Sequence, residues 1–169
     1  MAEKQKTRRV VLPGNTSWYD TASGKWIKGG QTVSVKASAA DTPLYVRDGS
    51  ILPLARLDPA DHAFDAAKAD FHIFLAGDGE AATRYVFDDG DSFAYREGKR
   101  SEAEITVKQL NRSVSVAIVR LSKGYGNGDF TFTTDASVKE VFVNGKPARP
   151  GPAQGVAFTR VPLVTWMPE

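Results

Sequence analysis

Three aspartates, Asp88, Asp89 and Asp91, crowd one short stretch, with Asp78 and Glu80 a few residues upstream. Carboxylates at such density could hold calcium, which takes six to eight oxygen ligands from clustered carboxylates and carbonyls. The spacing does not follow the EF-hand loop, and neighbouring aspartates on a strand point apart. Aspartate also caps turns with its own side chain, so a solvated turn is the competing reading and the favoured one. Calcium at Asp88, Asp89 and Asp91 is the one cofactor the residue types suggest. A second group, Trp18, Tyr19 and Trp26, carries flat faces that suit the C–H faces of pyranose rings. The same rings suit a core or a seam between domains. They are the candidate carbohydrate-binding residues.

Other chemistries find no support. The histidines are His62 and His72, and neither has a partner at metal-ligand spacing. There is no cysteine, hence no thiolate nucleophile, zinc–thiolate site or disulfide. Paired carboxylates can cleave a glycosidic bond, but nothing in the pattern sets two of them across a pocket. No nucleophile elbow, phosphate loop or dinucleotide fingerprint occurs. No residue is expected to be catalytic.

Charge narrows the partners. The 169 residues carry 22 basic and 20 acidic side chains, a net charge of +2. That balance argues against a nucleic-acid binder, which shows a basic stripe. The one basic run, Lys4, Lys6, Arg8 and Arg9, reads as a solvated tail over residues 1–7. The N-terminus lacks the apolar stretch of a signal peptide, and no run approaches the roughly 20 apolar residues of a membrane helix. A soluble chain is expected. Its lack of cysteine fits the cytosol without excluding export.

The elements that must position these residues are strands. Tyr85, Phe87, Phe93 and Tyr95 flank the acidic stretch, and Arg84–Tyr95 reads as a β-hairpin turned at Asp89-Gly90. A loop of three or five residues centred on Gly90 would put all four aromatics on one face, with the aspartates at a solvated tip. Trp18-Tyr19 and Trp26-Ile27 read as a second hairpin. Gln31–Lys36 and Glu102–Val107 alternate apolar and polar residues with the period of a half-buried strand. Leu44–Arg47 and Ser50–Leu52 read as strands joined at Asp48-Gly49. Phe71, Ile73 and Leu75 should point one way, His72 and Phe74 the other. Asn144-Gly145 is a strong hairpin signal.

About a dozen short strands and no long helical period make the class all-β. Two sandwich-like antiparallel modules are expected, at 8–55 and 68–169. Residues 56–67 between them read as a linker, with one helical turn around Asp65–Lys68.

Two sets of residues together resemble the C-terminal region of glycoside hydrolase family 31, which includes α-glucosidases and α-xylosidases. The first is Arg9–Pro13, Trp18-Tyr19-Asp20, Gly24, Gly29–Val33 and Pro43–Leu54. The second, Gly77–Glu80, Tyr85, Asp88-Asp89-Gly90, Ser92, Tyr95, Gly98 and Val143-Asn144-Gly145, is similar to the distal β-domain of those enzymes. The likeness runs from about Arg8 onward. It implies a scaffolding role, packing against a (β/α)₈ catalytic barrel whose aspartates do the chemistry. Such a barrel takes about 250 residues with alternating helices, and this chain holds none. The resemblance also implies an incomplete first module, because the family's proximal domain starts with strands upstream of Arg9. Strand Arg9–Leu12 or a neighbour is then left with an open edge that could pair with another copy of the chain. The partners implied are the barrel and α-glycans, with neither nucleic acid nor membrane. A stand-alone carbohydrate-binding module is the alternative.

Overall fold

The computed structural model describes residues 7–36, 42–57, 64–134, 138–148 and 159–162. Among the described residues the regular elements are strands and one 3₁₀ turn, and the all-β class holds. The chain divides into two compact units, Met1–Asp48 and Gly49–Glu169.

The first unit has two small sheets. Strands β1 (Thr7–Leu12) and β4 (Gln31–Lys36) pair antiparallel, with Val10 opposite Val33. Strands β2 (Ser17–Asp20), β3 (Lys25–Lys28) and β5 (Tyr45–Arg47) form the other, in the order β3-β2-β5. The path from β1 to β2 and back from β3 to β4 needs glycine. A Cβ on Gly29 would run into the Pro13 carbonyl oxygen, while the Gly29 amide donates to Thr16 O at 2.8 Å. Leu12, Tyr19 and Val46 supply the buried apolar surface.

The second unit is a sandwich of a five-stranded and a four-stranded sheet. The first sheet runs β13-β12-β10-β9-β8, from β8 (Gly79–Phe87), β9 (Ser101–Leu110), β10 (Ser113–Lys123), β12 (Glu140–Val143) and β13 (Lys146–Ala148). The second runs β14-β11-β7-β6, from β6 (Ser50–Leu57), β7 (Phe64–Phe74), β11 (Asp129–Thr134) and β14 (Thr159–Pro162). Alternation decides which side chains meet between them. Ala103, Ile105 and Val107 are fully buried on β9, and Val114, Val116 and Ile118 on β10 face the same core. From the opposite sheet come Ile51, Phe71, Ile73, Phe130 and Phe132. Two hairpins turn on left-handed residues, as their right-handed strand twist requires: Asn111-Arg112 at φ 50° and 67°, and Asn144-Gly145 at 48° and 75°. Asn144 also accepts from the Ile118 amide at 2.8 Å, which ties that turn to β10.

Four expectations change. The sheets are not wholly antiparallel, because β7 pairs parallel with β11 and β10 pairs parallel with β12. Asp48-Gly49 does not turn a hairpin. β5 pairs with β2, and β6 pairs with β7. The unit boundary falls at this dipeptide, and its two amides part company: Asp48 N donates to Ser17 O, Gly49 N to Phe74 O. The stretch read as a linker at 56–67 is strand at its described ends, since β6 runs to Leu57 and β7 begins at Phe64. The helical turn expected at Asp65–Lys68 is strand as well. Its local signal is real, for Asp65 accepts from the Ala67 amide at 2.9 Å and pairs with Lys68 at 3.6 Å. Sheet partners prevail, with β7 hydrogen-bonded on both sides by β6 and β11. Of the basic tail expected at 1–7, residues 1–6 lie outside the described residues, while Thr7, with Arg8 and Arg9 of the basic run, belongs to strand β1.

Phe71 is fully buried and meets three aromatic rings, and Phe71→Ala is expected to cost about 3–5 kcal/mol, the usual range for emptying a buried aromatic site. Urea unfolding of the two proteins measures this. A loss below about 1 kcal/mol would mean that the two sheets do not meet around this ring.

Candidate functional site

The acidic stretch is held by its own hydrogen bonds. β8 ends at Phe87, which lies opposite Ser101 of β9, so residues 88–100 form the whole connection. No strand runs through Asp91–Tyr95, contrary to the expected hairpin. Instead Asp88 Oδ1 accepts from the Gly90 amide at 2.9 Å. Asp89 Oδ1 accepts from the amides of Asp91 at 3.2 Å and Ser92 at 3.1 Å, and Asp89 Oδ2 from the Ser92 hydroxyl at 2.6 Å. Ser92 Oγ in turn accepts from the Ala94 amide at 3.1 Å. That relay opens a 3₁₀ turn over Ala94–Glu97, closed by Gly98 at φ 81°. Side-chain acceptors on aspartate and serine offer the backbone a turn in place of a ladder, and here the turn wins. The Ser92 hydroxyl first, then the Ser92 and Asp91 amides, hold the Asp89 carboxyl below the usual carboxylate range.

The aromatics therefore divide. Tyr85 and Phe87 stack at 5.5 Å inside the sandwich, and the Tyr85 hydroxyl donates to Ala66 O at 2.8 Å. Phe93 is 70% exposed and Tyr95 half-buried. The single-face register is thus corrected, because the Asp89–Ser92 cap consumes the residues that would have formed the second arm. Among the described residues, no group of three or more histidine, aspartate or glutamate side chains is arranged to hold a metal ion. His72, on β7, is half-buried, and burial pushes its imidazole pKa down, with Asp70 opposing the shift. His62 lies outside the described residues.

Trp18, Tyr19 and Trp26 do sit on one hairpin, as expected, but on two faces of it. Trp18 lies opposite Ile27, and Tyr19 opposite Trp26. Alternation then puts Tyr19 and Trp26 on one side and Trp18 on the other. Tyr19 is buried and meets Trp26 edge to face, with ring centroids 5.3 Å apart at 64°. Trp18 donates its indole N–H to Pro13 O at 3.0 Å. Asp20 ends β2 by accepting from the Ala22 amide and the Ser23 hydroxyl at 3.1 and 2.7 Å.

An open recess of about 490 Å³ in the first unit is lined by Asp20, Ser34, Lys36, Thr42 and Tyr45 among others. Burial, and then the charge of Asp20, raise the Tyr45 phenol pKa. Sequence reasoning missed this recess. Its lining comes from β2, β4 and the approach to β5, and only the alternation of β4 hinted that Ser34 and Lys36 share a side.

Comparison with known proteins bears on both units. Residues 1–52 match the glycosyl hydrolase family 31 C-terminal domain. An α-xylosidase of Saccharolobus solfataricus is 31% identical over 111 residues, covering 64% of this chain and 15% of the xylosidase. Alpha-glucosidase 2 of Bacillus thermoamyloliquefaciens is 28% identical over 110 residues, 65% of this chain and 14% of that enzyme. A family 31 dextranase of Flavobacterium johnsoniae, solved with isomaltotriose, superposes with a TM-score of 0.68 at 26% identity, over 87% of this chain and 19% of its own. Over these stretches the chain is similar to the C-terminal region of family 31 glycoside hydrolases. It spans about one-seventh of the length of the two curated relatives above. The family 31 model ends at Leu52, close to the Asp48/Gly49 division, while the dextranase superposition extends through most of the second unit as well.

The Asp89 cap has a pH signature. Its folded carboxyl titrates below the unfolded one, so its contribution is complete above the unfolded pKa and disappears as the pH falls through the folded pKa. Carboxyl NMR titration should find Asp89 below the ordinary aspartate value, moving up towards it in Ser92→Ala. An Asp89 that titrates at or above the ordinary value would remove the cap from the account.

Proposed function

We propose that this chain is a non-catalytic accessory region of an α-glucosidase- or α-xylosidase-type family 31 glycoside hydrolase, serving carbohydrate metabolism by supporting a (β/α)₈ catalytic barrel. The reading rests chiefly on one observation. A region whose regular elements, among the described residues, are strands and one 3₁₀ turn aligns over about two-thirds of its length with 14–15% of two hydrolytic relatives. An active site needs an acid, a base or a nucleophile facing a shared reacting atom. The carboxylates best placed to attract notice, Asp88 and Asp89, are occupied by backbone amides and Ser92.

The partner is accordingly the barrel of the parent enzyme, with α-glycans reached through it. Self-association is a further element of this reading. Among the described residues β1 pairs with β4 alone, and Val11 on β1 is 71% exposed, so the outer strand edge is open to a second copy. Light scattering that returns a strict monomer at high concentration would remove that element and leave the rest standing.

The accessory reading makes two expectations that fail separately. An aryl α-glucoside or aryl α-xyloside incubated with the chain should release no aryl alcohol. The reading frame immediately upstream of its gene should encode about 250 residues of alternating strands and helices. Turnover by the purified chain would refute the non-catalytic assignment. A stop codon directly upstream would favour the alternative, a stand-alone carbohydrate-binding module.

A further inference from the structure

Phe93 is out of place on ordinary grounds. A phenylalanine side chain gains from burial, yet this one leaves 70% of its surface in water. The segment that carries it is not loose, since five hydrogen bonds from Asp88, Asp89 and Ser92 side chains fix residues 88–94. The 3₁₀ turn then decides what lies beside the ring. Side chains three residues apart eclipse one another in a 3₁₀ turn. The Arg96 amide donates to Phe93 O at 3.0 Å, and the Arg96 guanidinium carbon sits 4.8 Å from the Phe93 centroid and 5.8 Å from that of Tyr95. The two rings are 6.3 Å apart, tilted at 55°. Among the described residues the guanidinium has no hydrogen-bond or carboxylate partner. Its donors are held in place by the rings and remain unused.

The charge around this cluster selects the ligand. Asp88, Asp89 and Asp91 oppose an anionic polymer such as a nucleic acid. A protein partner needs roughly 800 Å² on each side, with an apolar centre. Here one exposed ring sits in a stretch whose chain neighbours Asp91, Glu97, Lys99 and Arg100 are charged and exposed. A neutral, polyhydroxylated ring meets every feature at once. Its C–H face would cover Phe93 and its hydroxyl oxygens would accept from Arg96.

We propose that Phe93, Tyr95 and Arg96 form a carbohydrate-stacking site for one or two pyranose units of an α-glucan oligosaccharide. The choice of α-glucan rests on the family 31 reading, while the choice of a neutral sugar rests on the cluster itself. The chain is titrated with maltoheptaose and with isomaltotriose, followed by amide and side-chain NMR. Shifts concentrated at residues 91–97 are expected, with millimolar affinity, as suits a small exposed platform. Phe93→Ala should weaken binding about tenfold or more, and Arg96→Ala several-fold. Phe93→Leu, which keeps apolar bulk without a flat face, should behave like Phe93→Ala. Trp18→Ala, on the first unit, should bind as the parent does. The proposal is overturned by the absence of shifts at 91–97 with either sugar on the order of ten millimolar. Shifts centred instead on the Asp20–Tyr45 recess, or affinity unchanged in Phe93→Ala, overturn it too. None of these failures touches the accessory reading, which stands or falls on the aryl glycosides and the upstream frame.

Discussion

Phe71 has no surface left in water, and the larger unit is arranged around that fact. It stands opposite Phe132 in the parallel β7–β11 pairing and stacks on it at 5.3 Å and 20°. Phe130 and Tyr85 meet it edge-on, each at 5.1 Å. Edge-to-face and offset contacts suit the ring quadrupole and add about 0.5–1.5 kcal/mol apiece beyond area burial. The cluster joins the two sheets, since Phe71, Phe130 and Phe132 come from one and Tyr85 from the other. Burying Tyr85 obliges its hydroxyl to find a partner, and it donates to Ala66 O on β7. Burial also raises the phenol's pKa, with Asp65 adding to the shift. The same β8 strand then delivers Phe87 to the core and launches the 88–100 connection from a fixed point.

Where a residue's fate depends on its immediate neighbours, the sequence could be read. Alternation placed Phe71, Ile73 and Leu75 inward, and Asn144-Gly145 turned its hairpin. Partner choice was another matter. The parallel pairings of β7 with β11 and of β10 with β12 join residues about 60 and 27 apart in the chain, roughly as Asp129 and Lys68 or Glu140 and Ser113 show. Nothing local marks such a pairing. Asp65–Lys68 illustrates the conflict. Its side chains make a turn-like set of contacts while its backbone belongs to a sheet. Asp48-Gly49 carries a hairpin signal and serves as the unit boundary, because a dipeptide can specify a change of direction without specifying which strand comes next.

The acidic stretch was legible as a turn and illegible in its form. A carboxylate competes for whatever positive partner is nearest. For Asp89 three N–H or O–H donors lie within 3.2 Å, all from residues two or three positions ahead. These charge-assisted bonds keep the anion satisfied without an ion, and they spend the residues Asp91 and Ser92 on capping. A β-hairpin through the same residues would have left those carboxylates to solvent and the 3₁₀ amides to the ladder. Side-chain faces alone do not set the register here, because this competition decides it.

That competition also separates the two aromatic groups singled out by composition. On a strand, adjacent residues face opposite ways, so Trp18 and Tyr19 cannot present one surface however exposed they become. Tyr19 and Trp26 do share a face, and their edge-on contact turns them towards each other. In a 3₁₀ turn the period is three, and the residue stacked on Phe93 is Arg96. A flat ring with an aligned cation therefore arises where the chain leaves the sheet, and the Asp88 and Asp89 carboxylates help to hold the turn that presents it. The chemistry-bearing residues of this stretch are thus divided by role. Asp89 and Ser92 shape the backbone, and Phe93 and Arg96 are what that shape exposes.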